Sequence, residues 1–270
     1  MRIGARPVLA RPWRWWFCRA PIWARLWLAV IALGSSVAFV PEPVSAAGLS
    51  TITHAQFSEP TTRYDHAVLG DAVEWGALVL TVETCPKCAV SQAELVIIRL
   101  PQTRVFEDIA PRLILDGDGV ALAMVVESDL KLGARLALYD QDGLRAATPF
   151  IGRTHRWLAP IGAGDLDGDG HVEVAYIDRP HLAKTLKIWR LNPDGLSFVA
   201  ELTGLTNHRI GWNFIPGGLR DCGQGLEMIV ASGNWTRIVA VRLQADALVV
   251  RDLGAYENSA SLEHPTGCAD

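Results

Sequence analysis

Residues 165–173 read Asp165-Leu166-Asp167-Gly168-Asp169-Gly170-His171-Val172-Glu173. Side-chain oxygens fall at loop positions 1, 3, 5 and 9, and Gly170 stands at position 6. A hard cation such as Ca²⁺ takes about six to eight oxygen ligands, whereas Mg²⁺ keeps several waters and suits the loop less. Asp165, Asp167, Asp169 and Glu173 would supply carboxylates, and His171 its backbone carbonyl, to one Ca²⁺ site. Four carboxylates this close repel one another unless a cation lies among them. The plain alternative is an Asp/Gly-rich turn without an ion. The loop is not an EF-hand, because position 12 is Tyr176 where a bidentate Glu is needed. The segment Val172-Glu173-Val174-Ala175-Tyr176-Ile177 alternates and is β-branched, so it predicts a strand rather than a helix.

The same order of elements recurs. Ile109-Ala110-Pro111 precedes Asp116-Gly117-Asp118-Gly119 and the apolar run 122–126; Phe214-Ile215-Pro216 precedes Asp221 and the run 226–230. A first copy is expected to run from His66–Asp71 through Leu78–Val82 and Leu95–Leu100 to Arg104–Phe106. Pro111, Pro160 and Pro216 are 49 and 56 residues apart, and His66 holds the equivalent place 45 residues before Pro111. A period of about 40–60 residues with four short strands per copy predicts an all-β fold, a β-propeller of about four four-stranded antiparallel blades over residues 48–270. Residues 52–57 would add an edge strand. A β-sandwich is the competing architecture, but it does not account for one proline, acid and strand order appearing four times.

Gly164 to Gly170, followed by a strand that opens with an acid, resembles the FG-GAP/VCBS repeat of integrin α-chain propellers and exported bacterial proteins. The resemblance spans roughly residues 62–260. It implies one competent metal site, because the other copies lack acids at one or more ligand positions.

The first 47 residues predict a signal peptide. Six arginines precede any acid, the uncharged run Leu26–Val40 spans 15 residues, and Val44-Ser45-Ala46-Ala47 offers a small-residue cleavage site. An uncleaved leader would instead anchor the chain to a membrane. The chain carries 25 basic and 29 acidic residues. The leader holds six basic and one acidic, which leaves 19 against 28, a net charge of −9 for the body. An acidic exported body argues against nucleic acid and for a periplasmic or secreted location. Cys85, Cys88, Cys222 and Cys268 follow the leader. In an oxidising compartment they favour the disulfides Cys85–Cys88 and Cys222–Cys268 among three possible pairings. A redox role for Cys85-Pro86-Lys87-Cys88 would need a helix after the first Cys, and strand-like runs flank it.

Strand alternation sends the acidic loop to one end of the molecule. The opposite end collects Arg63, Tyr64, His66, His155, Arg156, Trp157, His208, Arg209, Trp212 and Trp235. The loops 85–88, 178–181 and 233–235 belong to the same end. Arg offers bidentate bonds to carboxylate or phosphate, and Trp a flat stacking face. These residues are therefore the expected ligand face, for a protein, glycan or anionic small ligand. Packing between blades is the competing role for each of them. No Gly-x-Ser-x-Gly elbow or His-Glu-x-x-His helix occurs. The reading therefore favours a calcium-binding binding module. A metal-assisted hydrolase or lyase on the His/Arg face, and a structural protein that forms a homo-oligomer, are the alternatives.

Overall fold

The computed structural model describes residues 50–84, 92–245, 247–263 and 268, all within the compact unit that begins at residue 46. The leader and the Cys85–Cys88 loop lie outside the described residues. Among the described residues the fold is all-β, in several antiparallel sheets, with one short helix.

Strand β1 (Thr51–Thr61) pairs antiparallel with β2 (Glu74–Thr84), and β3 (Gln92–Arg99) lies on the other side of β2. Strand β4 (Arg104–Phe106) touches β2 through Trp75 and Phe106, then runs along the end of β6 (Ala121–Asp129). Strand β5 (Arg112–Leu115) pairs with the other end of β6, so β4 and β5 form one row broken at residues 107–111. Strands β7 (Gly133–Asp140) and β8 (Gly143–Ala147) continue this meander. The next sheet is an unbroken four-stranded meander: β9 (Leu158–Gly164), β10 (Glu173–Asp178), β11 (Thr185–Asn192) and β12 (Gly195–Thr203). In the last sheet β13 (Leu205–Thr206) and β14 (Gly218–Asp221) pair with opposite ends of β15 (Leu226–Ser232). Strands β16 (Arg237–Gln244) and β17 (Ala247–Ala255) then complete it, and helix α1 (Ala260–Glu263) follows.

The strands expected within residues 109–147, 158–203 and 214–255 form antiparallel meanders, and residues 52–57 lie in an edge strand. The first copy differs. His66–Asp71 is a loop with turns, and Arg104–Phe106 pairs mainly with β6, so the strands of the first two copies join in one eight-stranded sheet. Side-chain packing decides this. Phe106 is fully buried, stacked on Phe57 at 5.4 Å and edge-on to Tyr139 at 5.7 Å, so it bridges two layers. Arg63 secures the same strand from outside, its Nε donating to the Arg104 carbonyl at 2.9 Å.

Layers stack in chain order with a core between each neighbouring pair, the first sheet folding over to supply two of them. In β6, Leu122, Met124 and Val126 face the β9–β10 layer, while Ala123 and Val125 face the β1–β2 layer. In β10, Val174 and Tyr176 face back to β6, and Ala175 and Ile177 face forward to β15. Strands buried on both faces need continuous apolar runs, which is why these segments do not show a clean polar alternation. Each fully buried Leu or Met here contributes about 1.5–3 kcal/mol. The far face of β15 is covered by Leu262 of α1 together with Trp235, Leu253 and Tyr256. Gly162 and Gly164 let β9 approach β14 and the start of β15: a Cβ on Gly162 would lie 2.8 Å from Leu219, and one on Gly164 2.6 Å from Leu226.

Meander topology sends the β5–β6, β9–β10 and β14–β15 turns to one end. The β6–β7, β10–β11 and β15–β16 turns share the other end with the links between sheets. On the first end, the loops of Asp116 and Gly170 line one cavity of about 330 Å³.

Candidate functional site

The acidic loop is built on hydrogen bonds from its own backbone. Asp165 Oδ1 accepts the N–H groups of Gly168 (2.7 Å) and Asp169 (3.1 Å), and Oδ2 accepts that of Gly170 (3.0 Å). Glu173 opens β10, is fully buried, and accepts the Leu166 N–H at 2.9 Å. Carboxylate oxygens of Asp165, Asp167 and Glu173 lie within 4.8 Å of one another, so the three could hold a metal ion. Asp169 and His171 sit at the edge of the loop, where the His171 N–H and Nδ1 meet Asp169 Oδ1 at 2.9 and 3.1 Å.

Arg190 lies opposite Glu173 in the β10–β11 register and reaches into the cluster. Its Nε donates to Glu173 Oε1 (2.6 Å), Nη2 to Asp167 Oδ2 (2.6 Å), and Nη1 reaches Asp169 Oδ2 (3.1 Å). The positive charge that the sequence assigned to a cation is supplied here by a guanidinium. Burial pushes the Glu173 carboxyl up, against the pull of Arg190. The donor set, three oxygen-bearing side chains around a tight turn, fits a hard cation if Arg190 withdraws.

Strand pairing also aligns the loops of the other copies. Asp116 and Asp221 end or follow their first strands as Asp165 does, and each caps its own turn. Asp116 Oδ1 accepts the N–H groups of Asp118 and Val120; Asp221 Oδ1 accepts those of Gly223 and Gly225. Glu227 opens β15 as Glu173 opens β10, and is again ringed by arginines, Arg220 at 2.7 Å and Arg251 at 2.8 Å. In the last copy the loop is stapled by a disulfide between Cys222 and Cys268, with Cα atoms 5.5 Å apart. This is one of the two pairings favoured from the sequence; the other lies outside the described residues.

At the opposite end, His66, His155, Arg156, Trp157, Arg179, His181, Leu182 and Ile210 line a cavity of about 220 Å³. His66 Nδ1 lies 2.5 Å from Glu107 Oε1, and Ser128 Oγ–H donates to the other Glu107 oxygen. Glu107 is fully buried; burial pushes its carboxyl up, and the His66 and Ser128 bonds pull it down. With Nδ1 engaged, the remaining nitrogen of His66 is Nε2. His155 stacks on His66 at 5.1 Å and faces Asp65, Nε2 to Oδ1 3.2 Å; its N–H donates to Tyr64 Oη at 2.8 Å.

A second chain of bonds orients His181. The Trp212 carbonyl can only accept, so His208 Nε2–H donates to it at 2.9 Å. Burial pushes His208 down, and with its Nε2–H given to the Trp212 carbonyl, its Nδ1 is the acceptor for His181 Nε2–H at 3.1 Å. Burial brings His181 down to about 4, so it is neutral, and with Nε2–H donating to His208 its Nδ1 keeps a lone pair. Trp157 is buried, donates Nε1–H to the Glu107 carbonyl at 2.9 Å, and packs edge-on to His208.

The two arginines differ. Arg179 is tied bidentately to Asp178 at 2.9 Å for both bonds. Arg156 donates Nη1–H to the His155 carbonyl at 2.9 Å, and no carboxylate among the described residues lies within ion-pair distance of it. Backbone strain concentrates here. Ala67, His155, Arg179 and Trp235 all have φ between 47° and 59°, a region that costs non-glycine residues about 1–2 kcal/mol each.

Of the expected ligand-face residues, the structure brings His66, His155, Arg156 and Trp157 to the cavity, with Tyr64 and His208 buried just behind. Arg209, Trp212 and Trp235 form a neighbouring cluster: the guanidinium lies 4.5 Å from the Trp235 ring, 5.8 Å from Trp212 and 5.9 Å from Tyr256. Arg63 is elsewhere, just after β1, bonded to the Arg104 carbonyl of β4. Of the remaining groups at the cavity, Arg179 and His181 come from a loop the sequence assigns to this end without naming them as ligand residues, and Glu107, which sits in the break between β4 and β5, carries no sequence signal. No family model matches the chain, and no curated protein matches it.

Proposed function

We propose that the protein is an exported binding module whose His/Arg cavity takes a small anion. The observation that carries this is Arg156, a guanidinium without a carboxylate partner among the described residues, on a cavity that also presents a neutral His181. A charged donor beside apolar and neutral groups binds an anion more strongly than a solvated one would. Acetate and inorganic phosphate, titrated calorimetrically at low salt, test it: Arg156→Gln should weaken binding by at least about tenfold, as expected for a charge-assisted bond of about 1.5–3 kcal/mol. No heat with either anion would end this reading.

The stacked sheets support a propeller-like arc of the FG-GAP/VCBS type, with the repeated turn-capping Asp116, Asp165 and Asp221 as its common mark. The leader composition and the Cys222–Cys268 bond support a periplasmic or secreted location. Calcium is the cation we assign to the Asp165 loop, in competition with Arg190. Arg190→Gln should bind calcium at least tenfold more tightly than the unsubstituted chain, because the ion then displaces no resident charge. Equal affinities, or loss of the fold without calcium gain, would remove calcium from the account.

One observation favours a second reading. A buried carboxylate costs stability unless it serves its partner, and Glu107 holds His66 as general bases are held. In an enzyme acting on the bound anion, His66→Gln would abolish turnover while leaving acetate binding intact.

A further inference from the structure

We propose that the cavity takes an amphiphilic monoanion, with a carboxylate-sized head beside Arg156 and a hydrocarbon portion lying on Leu182 and Ile210. This rests on the anion-binding reading and adds the other half of the ligand. Isolated exposed aliphatic residues need no explanation. Here, however, Ile210 (71 % exposed) and Leu182 (63 %) are among the most exposed large apolar side chains, and both line the same cavity. They come from different sheets, one on the β10–β11 turn and one on the link that leads to β14. Backbone bonds hold both segments: Leu182 N–H donates to Arg179 O at 2.8 Å, and the neighbour of Ile210, Gly211, donates its N–H to Val68 O at 3.0 Å. Two ordered apolar side chains converging beside a cation make a surface that water covers poorly and a hydrocarbon covers well.

Charge and size set the rest. Arg179 is neutralised by Asp178, which leaves Arg156 as the cavity's one guanidinium without an acidic partner among the described residues. One such charge suits a monoanion better than a dianion. At about 30 Å³ per water, a 220 Å³ cavity holds the volume of about seven waters, enough for a carboxylate and the first few carbons. Longer chains would then run out over Leu182 and Ile210.

The test is calorimetric titration of the chain with acetate, inorganic phosphate and octanoate at fixed ionic strength. Each methylene buried is worth about fourfold in affinity, so octanoate should bind at least about tenfold more tightly than acetate. In the double variant Leu182→Ser/Ile210→Ser the ratio of octanoate to acetate affinity should fall to near one, with the melting temperature confirming a folded protein. An octanoate affinity equal to that of acetate, or a gain that survives the double substitution, overturns the proposal and leaves simple anion binding standing. If none of the three anions binds, the anion reading itself fails. Co-sedimentation with phosphatidylglycerol vesicles separates the two sources of such a ligand. Binding to vesicles that octanoate competes away assigns a lipid headgroup, and octanoate binding without vesicle binding assigns a free amphiphile.

Discussion

Three buried glutamates open the second strands of their sheets, and their neighbours give them different states. Glu173 and Glu227 each meet arginine. Glu74, 3 % exposed at the start of β2, has no such partner among the described residues. Burial first, then repulsion from Glu107, Asp71 and Asp108, pushes its carboxyl up to about 9. A carboxyl raised in this way stays protonated in the folded protein at a pH where the unfolded chain has lost the proton. The folded state then binds more protons than the unfolded one, so stability falls as pH rises from the unfolded value near 4.5 towards 9. Glu74→Gln should remove that loss: little change at pH 4.5, and a gain approaching about 3 kcal/mol at pH 7 at 1.36 kcal/mol per pH unit. Urea unfolding of both proteins at several pH values measures it. A constant difference across that range would show that Glu74 is not the titrating group. Its lack of an arginine was not legible in the sequence, because partners are set by which strand lies alongside.

At the scale of elements, the β6–β7 turn is locked onto the link that carries the cavity residues. Gly133 has φ +73°, and a Cβ there would lie 2.2 Å from the Arg153 carbonyl oxygen and 2.8 Å from that of Arg156. The Ala134 N–H also donates to the Arg156 carbonyl at 2.8 Å. Gly133→Ala therefore combines left-handed strain with a collision against backbone, and should cost at least about 3 kcal/mol. Gly119→Ala is the comparison: φ is similar, +80°, but the space is open. It should cost only about 1–2 kcal/mol. Equal losses in denaturant midpoint would mean that the turn does not press on the link. Strand positions in the second to fourth copies were legible because β-branched and apolar runs recur with the same turn residues between them. The first copy was not, since an arginine–carbonyl bond and two aromatic contacts hold β4 along β6, which joins the first two copies in one sheet.

For the whole molecule, the C-terminal segment closes the last sheet. Leu262 packs on Ile229 and Ala231, and the Cys222–Cys268 bond joins residues 46 apart. The loop-entropy relation gives about 4 kcal/mol for a loop of that length. Replacing both cysteines by serine should lower the melting temperature by about 10 °C for a domain of this size. The same shift should follow treatment of the unsubstituted protein with reductant. A melting temperature indifferent to both would leave the tail held by Leu262 alone.

Residue type and spacing alone determined the all-β class, the meander order of three sheets, the turn-forming acidic loop, and which end of the molecule holds the histidines and arginines. These follow from short-range physics: side-chain alternation, turn chemistry and the reversal of direction at every hairpin. Tertiary structure decided the rest. It put Arg190 among the carboxylates, buried Glu107 behind His66, paired Arg179 with Asp178 while leaving Arg156 without a carboxylate, and brought Leu182 and Ile210 to one rim. Each of these depends on which distant segments become neighbours, and the burial and charge balance of a group are properties of its neighbours.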